Sequence, residues 1–190
     1  RLSDEVIARR GAELAVVAEE AYQQLLKDNP DALHPVYIVG SEVPIPGGSQ
    51  EAVETGLQVT KVSDFKQTVA TFEKAFHDHQ LDEAWKHVIG VVVQPGVEEK
   101  DAGCTPYDRS KAVDLMASIK EYNNLVFEGH STDYQTKISL RELVEDGVGI
   151  LKVGPGLTYM MREALFALAY AEKELLKDQP EKQSHFIEVL

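Results

Sequence analysis

The chain alternates between short apolar runs and polar segments that favour loops. Each of four runs ends in a segment rich in Gly, Pro, Ser or Glu, and three lead directly into a helix-like stretch. The runs are residues 36–39, 88–93, 125–127 and 150–153. Repeated strand–loop–helix units predict a parallel sheet, because parallel neighbours need a crossover that is usually helical. Polar side chains at the carboxyl ends of such strands are where α/β proteins place their chemistry.

Amphipathic stretches between these runs predict the helices. Apolar residues at near-helical spacing predict a first helix over residues 3–27, with Ser3 as its N-cap. A second helix, over residues 64–79, would have one mainly aromatic face, formed by Phe65, Val69, Phe72 and Phe76. Further helices are predicted over residues 108–121 and 157–176. Residues 41–62 contain two prolines and a glycine pair, so we expect a long loop there.

The order of these elements predicts an α/β fold, and we favour a (β/α)8 TIM barrel. Four strand–helix units are half of an eight-unit barrel, and the helix before the first strand indicates an upstream strand. An open four-stranded sheet is the alternative. We expect this chain to supply the C-terminal half of the barrel. Residues 1–176 would then be part of a single domain, and residues 177–190 a tail leading to a further C-terminal region.

The charge balance disfavours some classes of partner. The 190 residues include 19 Lys and Arg and 32 Asp and Glu, which gives a net charge of −13. Such an acidic chain is not expected to bind nucleic acid or an anionic membrane surface. The single cysteine, Cys104, cannot form an internal disulfide, so we expect a reduced, cytoplasmic setting. No apolar run approaches the ~20 residues that a membrane-spanning helix needs.

Glu42 and Gln94 follow the first two predicted strands. The carboxylate of Glu42 offers an acid, a base or a metal ligand, although the residues alone favour a helix cap or a solvated loop residue. Gln94 does not titrate, so it suits contact with substrate hydroxyls better than proton transfer.

The densest polar cluster, residues 128–133, follows the third strand. Glu128 is a candidate acid or base. Glu128 and His130 are two residues apart and would share a face in a continuing strand, but Gly129 leaves their geometry open. Both residue types bind zinc, yet two ligands do not complete a zinc site. We therefore favour structural or substrate-contact roles for His130 and Ser131.

The last strand runs into Lys152 and a glycine-rich turn, residues 154–158. Backbone amides at a helix start attract phosphate, and glycine allows close approach of a ligand. Gly154, Gly156 and Thr158 are therefore candidate phosphate-binding residues, although glycine and proline also simply end strands. Lys152 is a candidate for Schiff-base chemistry if it is desolvated, and we favour instead an ion pair with a carboxylate such as Glu128.

Four groups of residues carry a resemblance to a known family. They are residues 40–48, 91–98, 128–136, and 150–158 continuing through 162–168. Together they resemble the Z-type subunit of D-tagatose-1,6-bisphosphate aldolase, a family once described as a tagatose-6-phosphate kinase. The resemblance covers roughly residues 4–176.

This resemblance implies a fold, a role and a partner. The family is similar to the zinc-dependent class II aldolases, which are (β/α)8 barrels. Gln94 and Glu128 correspond to positions where the catalytic relatives carry zinc-binding histidines, and glutamine is a poorer zinc ligand. The resemblance therefore implies no cofactor or metal in this chain and zinc in the partner. It implies an accessory subunit, in an oligomer, that supports the activity and stability of a catalytic Y-type subunit in galactitol or N-acetylgalactosamine catabolism.

The residues also support an alternative, an independent sugar-phosphate enzyme similar to an aldolase. Glu42 or Glu128 would be its base, and the glycine-rich turn after Lys152 would hold phosphate. A kinase is disfavoured, because the sequence has neither a Gly-x-x-x-x-Gly-Lys-Ser/Thr loop nor the protein-kinase signature set.

Overall fold

The helices and strands follow one another in the order that the apolar runs predict. The structure, a computed structural model, describes residues 2–40, 57–100 and 103–189. The helices are α1 (Asp4–Asp28), α2 (Val62–Asp78), α3 (Asp82–Trp85), α4 (Arg109–Ser118), α5 (Lys137–Asp146), α6 (Pro155–Leu175) and α7 (Phe186–Val189). The strands are β1 (Tyr37–Val39), β2 (Val88–Val93), β3 (Glu98–Lys100), β4 (Gly103–Thr105), β5 (Val126–Gly129) and β6 (Val148–Leu151). Short 3-10 helices occupy Ile119–Glu121 and Pro180–Lys182.

Four strands form a parallel sheet with the order β1-β2-β5-β6. The sheet order follows the chain order, and helices α2, α4 and α5 lie within the connections between the strands. Val92 of β2 is in register with Glu128 of β5, which is in register with Ile150 of β6. The predicted α/β class and parallel sheet are confirmed.

The core lies between this sheet and helices α1 to α5. The predicted face of α2 is buried throughout: Phe65, Val69, Phe72 and Phe76. The ring of Phe65 lies edge-on to that of Phe127, with 5.0 Å between the centroids. Since side chains alternate along a strand, Phe127 points towards the helices and Glu128 towards the opposite face of the sheet.

Helix α1 uses small residues for its buried face. Ala8, Ala12 and Ala15 are buried, whereas the larger Leu14 and Val17 of the same helix are exposed. A Cβ built on Gly11 would lie 3.0 Å from a ring carbon of Phe72. The large aromatic side chains of α2 therefore fill the space between the two helices, and α1 approaches them with its smallest residues.

The end of β1 passes very close to β2. A Cβ on Gly40, whose φ is +153°, would lie only 2.7 Å from the Cβ of Val92. No side chain fits there without a shift of one strand. Further down the same face, Ile38 and Ile150 meet over Gly90, where a Cβ would contact both.

Strands β3 and β4 form an antiparallel hairpin that the sequence did not predict. Glu99 is in register with Cys104 in this hairpin. The hairpin lies in the connection between β2 and α4 and so adds to the carboxyl side of the sheet.

The described part of the chain divides into two compact units, the first ending at Lys152 and the second beginning at Val153. Within the second unit, Glu172 of α6 accepts hydrogen bonds from the backbone amide and the hydroxyl of Ser184, at 3.0 and 2.6 Å. The rings of Phe166 and Phe186 also pack edge to face. The assignment of residues 1–176 to one domain and 177–190 to a tail remains a prediction. Among the described helices, none combines the length and the apolar character needed to cross a bilayer.

Candidate functional site

The carboxyl end of the sheet collects the polar residues that follow β2, β5 and β6. Parallel strands end at the same edge of a sheet, so Gln94, His130 and Lys152 belong to one edge. Glu42, the candidate that follows β1, lies outside the described residues.

Glu128 and His130 form a largely buried ion pair at this edge. Nε2 of His130 lies 2.7 Å from Oε1 of Glu128, and their side chains are 15% and 8% exposed. After Gly129 the chain therefore continues in a direction that brings the side chains of Glu128 and His130 together. An ionised carboxylate only accepts hydrogen bonds, so the proton of this contact belongs to Nε2.

Lys152 follows the last residue of β6 and is exposed. Its backbone amide donates to the carbonyl of Gly129 at 2.9 Å. The expected ion pair between Lys152 and Glu128 is wrong, since the described ion pair of Glu128 is with His130. Strand β6 ends before Lys152, so the lysine side chain is not held against the sheet. Its exposure also removes the desolvation that would favour a Schiff-base lysine.

The loop after β5 is fixed by several hydrogen bonds. Ser131 has a φ of +55°, a left-handed conformation that is uncommon for a residue other than glycine. The hydroxyl of Thr132, which is 1% exposed, donates to the carbonyl of Lys152 at 2.9 Å. Thr136 caps α5 by accepting from the amide of Ser139 at 3.1 Å. The segment that carries His130 is therefore rigidly attached to β6 and to α5.

Gln94 stabilises the loop that follows β2. Its Oε1 accepts from the backbone amides of Gly96 and Val97, at 2.8 and 2.9 Å. The backbone amide of Gln94 donates to the hydroxyl of Thr60 at 2.8 Å. The side-chain oxygen thus holds a turn, and the predicted contact with substrate hydroxyls stays a prediction.

Sequence reasoning gave no role to the residues through which the β3–β4 hairpin contacts the β5 loop. The amide of Asp133 donates to Oε1 of Glu99 at 3.1 Å. Gln135 donates to the carbonyl of Thr105 at 2.8 Å and accepts from the amide of Tyr107 at 2.9 Å. Burial raises the pKa of Glu99, and the bond from the Asp133 amide only partly offsets this rise. In the sequence, Glu98 and Glu99 were the indication of these contacts, because two adjacent carboxylates follow an apolar strand closely.

The predicted phosphate-binding residues belong to the second compact unit. Gly154 is the N-cap of α6, Pro155 occupies its first turn, and Gly156 is buried while Thr158 is exposed. The predicted helix is present, but it begins at Pro155 rather than at residue 157, so Gly156 and Thr158 lie within its first four residues and not in a turn before it. The role of these residues in binding phosphate remains a prediction.

The described residues contain no group of three or more His, Cys, Asp or Glu side chains with metal-binding geometry. Glu128 and His130 are a pair, and the carboxamide oxygen of Gln94 already accepts two amide protons. This donor set does not match the three or four ligands of a zinc site.

The fold and this edge define an α/β protein with a parallel sheet and a buried acid–histidine pair at its carboxyl end. The whole chain, residues 1–190, matches the family described as D-tagatose-1,6-bisphosphate aldolase subunit GatZ/KbaZ-like, and the chain belongs to that family.

A solved structure is similar over nearly all of the chain. It is the crystal structure of a protein from Sinorhizobium meliloti 1021, described as a probable tagatose 6 phosphate kinase. The two share 41% sequence identity with a TM-score of 0.72, over 93% of this chain. The match spans only 39% of the length of the Sinorhizobium meliloti protein.

Proposed function

We propose that this chain is part of an accessory subunit of D-tagatose-1,6-bisphosphate aldolase. The subunit would raise the activity and stability of a zinc-containing catalytic Y-type subunit in the cytoplasm, in galactitol or N-acetylgalactosamine catabolism. Family membership supports the link to the aldolase. The parallel β1-β2-β5-β6 sheet supports the further proposal that this chain contributes half of a (β/α)8 barrel.

One observation supports an accessory rather than an independent role. The side chains at the two positions where the resemblance implies zinc ligands in catalytic relatives both have protein partners here. Gln94 accepts two backbone amides, and Glu128 pairs with His130. These contacts hold the loops at the carboxyl end of the sheet in place. They also occupy oxygen atoms of Gln94 and Glu128 that a zinc ion would need as ligands.

The test is cleavage of tagatose 1,6-bisphosphate by the full-length protein, by the catalytic subunit, and by their mixture, with zinc present. We expect the mixture to cleave tagatose 1,6-bisphosphate faster than the catalytic subunit alone, and the full-length protein alone to be inactive. A partner that binds only the folded state also stabilises it, so the melting temperature of each should rise with the concentration of the other. The proposal fails if the proteins neither co-purify nor stabilise each other.

A second candidate is an independent sugar-phosphate enzyme, favoured by the burial of the Glu128–His130 pair. A purely structural edge does not need a desolvated carboxylate, which is costly to bury. Turnover by the full-length protein alone, abolished by Glu128→Gln, would support this candidate. Turnover that is absent with several sugar bisphosphates would contradict it. A matched control is Glu121→Gln, which changes an exposed glutamate on a 3-10 helix.

A further inference from the structure

Glu128 lies in an apolar part of the sheet. Its register neighbours on the two adjacent strands are Val92 and Ile150, and the residue is 6% exposed. A carboxylate in such surroundings needs a charged or strongly polar partner. His130 supplies that partner from the next position on the same face.

The contact determines which nitrogen of His130 carries a proton in the neutral ring. Nε2 donates to the Glu128 carboxylate, so Nδ1 is left as a hydrogen-bond acceptor. Among the described residues, Nδ1 has no hydrogen-bond partner. A buried carboxylate that fixes one imidazole nitrogen, and so directs the other to a ligand, is the arrangement found in catalytic triads.

The backbone around His130 is held in place by contacts on both sides. Thr132 bonds to the carbonyl of Lys152, and the amide of Lys152 bonds to the carbonyl of Gly129. Asp133 is held by Glu99 of the hairpin. Support of this kind fixes the orientation of a binding side chain more closely than a free loop does.

We propose that His130 is the ligand-contacting residue of this edge and that Glu128 is its positioning residue. Nδ1 of His130 accepts a hydrogen bond from a hydroxyl of a bound sugar phosphate. The Glu128 carboxylate accepts the Nε2 proton and so keeps Nδ1 of the neutral ring unprotonated. The inference rests on the proposed function for the identity of the ligand only.

The first test is nitrogen NMR of the full-length protein labelled with ¹⁵N-histidine. For neutral His130 we expect a protonated Nε2 and an unprotonated Nδ1, whose resonance moves when tagatose 1,6-bisphosphate is added. In Glu128→Gln the carboxamide can also donate to Nε2, so a mixture of both tautomers is expected. The control Glu121→Gln should leave the His130 tautomer unchanged.

The second test is the affinity for tagatose 1,6-bisphosphate, measured by calorimetry. Loss of one positioned hydrogen bond predicts about tenfold weaker binding for Glu128→Gln. If that variant does not fold, His130→Gln serves instead, because its amide still donates to Glu128. It should weaken binding by a similar factor and leave the chain folded.

Several results would overturn the inference. They are a proton on Nδ1 in the neutral wild type, a His130 resonance that tagatose 1,6-bisphosphate does not move, or unchanged tautomer and affinity in Glu128→Gln. Failure of tagatose 1,6-bisphosphate to bind would also overturn it, even if the protein still stimulates the catalytic subunit. Conversely, His130-dependent binding without such stimulation would overturn the proposed accessory function alone.

Discussion

Ser131 shows how a single backbone conformation shapes the candidate site. Its φ of +55° turns the chain immediately after His130. A β-branched residue is strained in this conformation, so Ser131→Val should lower the free energy of unfolding by about 1–2 kcal/mol. Denaturant unfolding measures this loss.

The matched variant at this position is Ser131→Gly. Glycine adopts a positive φ readily but loses more conformational freedom on folding, so its effect should stay within about 0.5 kcal/mol. Equal losses for the two variants would mean that the backbone conformation is not what limits this position.

Gly40 is constrained by space as well as by its backbone conformation. Gly40→Ala would place a Cβ 2.7 Å from that of Val92 and push β1 away from β2. We expect a loss of about 1–3 kcal/mol in unfolding free energy, the usual cost of overpacking.

Gly103→Ala is the control for this prediction, because Gly103 also has a positive φ but no atom within 4 Å of its Cβ position. The difference between the two variants isolates the steric contact with Val92. A Gly103→Ala loss as large as that of Gly40→Ala would contradict the steric explanation.

At the scale of elements, helices α4 and α5 are joined by a polar contact around Asp146. Arg109 and the hydroxyl of Tyr107 both donate to its carboxylate. The Arg109 guanidinium, assisted by Tyr107, holds the pKa of Asp146 below its usual range despite partial burial. The contact therefore stabilises the folded protein when Asp146 is ionised.

This contact predicts a loss of stability in acid. Because the folded-state pKa is lowered, the stabilisation is complete above the ordinary pKa of about 3.9 and disappears as the pH falls through the lower folded value. Asp146→Asn should cost about 1–2 kcal/mol at pH 7, a value reduced by the partial exposure of Arg109. Unfolding measured from pH 7 down to pH 3 should show this difference shrinking.

Glu145→Gln is the neighbouring control. Its side chain is half exposed and lies at 3.4 Å from the same arginine, so its removal should change stability by at most about 0.5 kcal/mol. A pH-independent difference between wild type and Asp146→Asn would contradict the ionic explanation.

The elements with a strong apolar period were predictable, and those without one were not. Phe65, Val69, Phe72 and Phe76 define one helix face, and the apolar run of β2 marks a strand covered on both faces. Strands β3 and β4 have no such pattern. Their residues Glu98–Lys100 and Gly103–Thr105 pair through the backbone, which sequence periodicity does not reveal.

The candidate site was predictable in its location but only partly in its contacts. Strand ends indicated Gln94, Glu128 and His130, yet which side chains meet depends on the path of the loop after Gly129. The pattern favoured Lys152 as the partner of Glu128, whereas the structure pairs Glu128 with His130. Lys152 lies beyond the end of β6 at Leu151, and element boundaries are the weakest part of sequence reasoning.

At the scale of the whole molecule, the net charge of −13 predicts a dependence of stability on salt. Self-repulsion among negative charges destabilises the folded chain, and salt screens it. Raising NaCl from about 0.01 M to about 0.15 M shortens the screening length from about 30 Å to about 8 Å. We expect the melting temperature at pH 7 to rise by a few degrees.

The same titration near the isoelectric point is the control. At a pH close to 4.8 the net charge approaches zero, so salt should change the melting temperature little. A fall in melting temperature with salt at pH 7 would mean that local ion pairs, such as Lys66–Glu121, outweigh the repulsion.

The sheet also carries a consequence for the order of folding. Strands β5 and β6 are joined by the short helix α5, whereas residues 40–87 separate β1 from β2. Closing a longer loop costs more entropy, so β5 and β6 should pair before β1 joins. Pulse-labelled hydrogen exchange checks this order, and earlier protection of the β1 amides would contradict it. If β5 and β6 do pair first, the folding chain brings Glu128 and His130 together before β1 has joined the sheet.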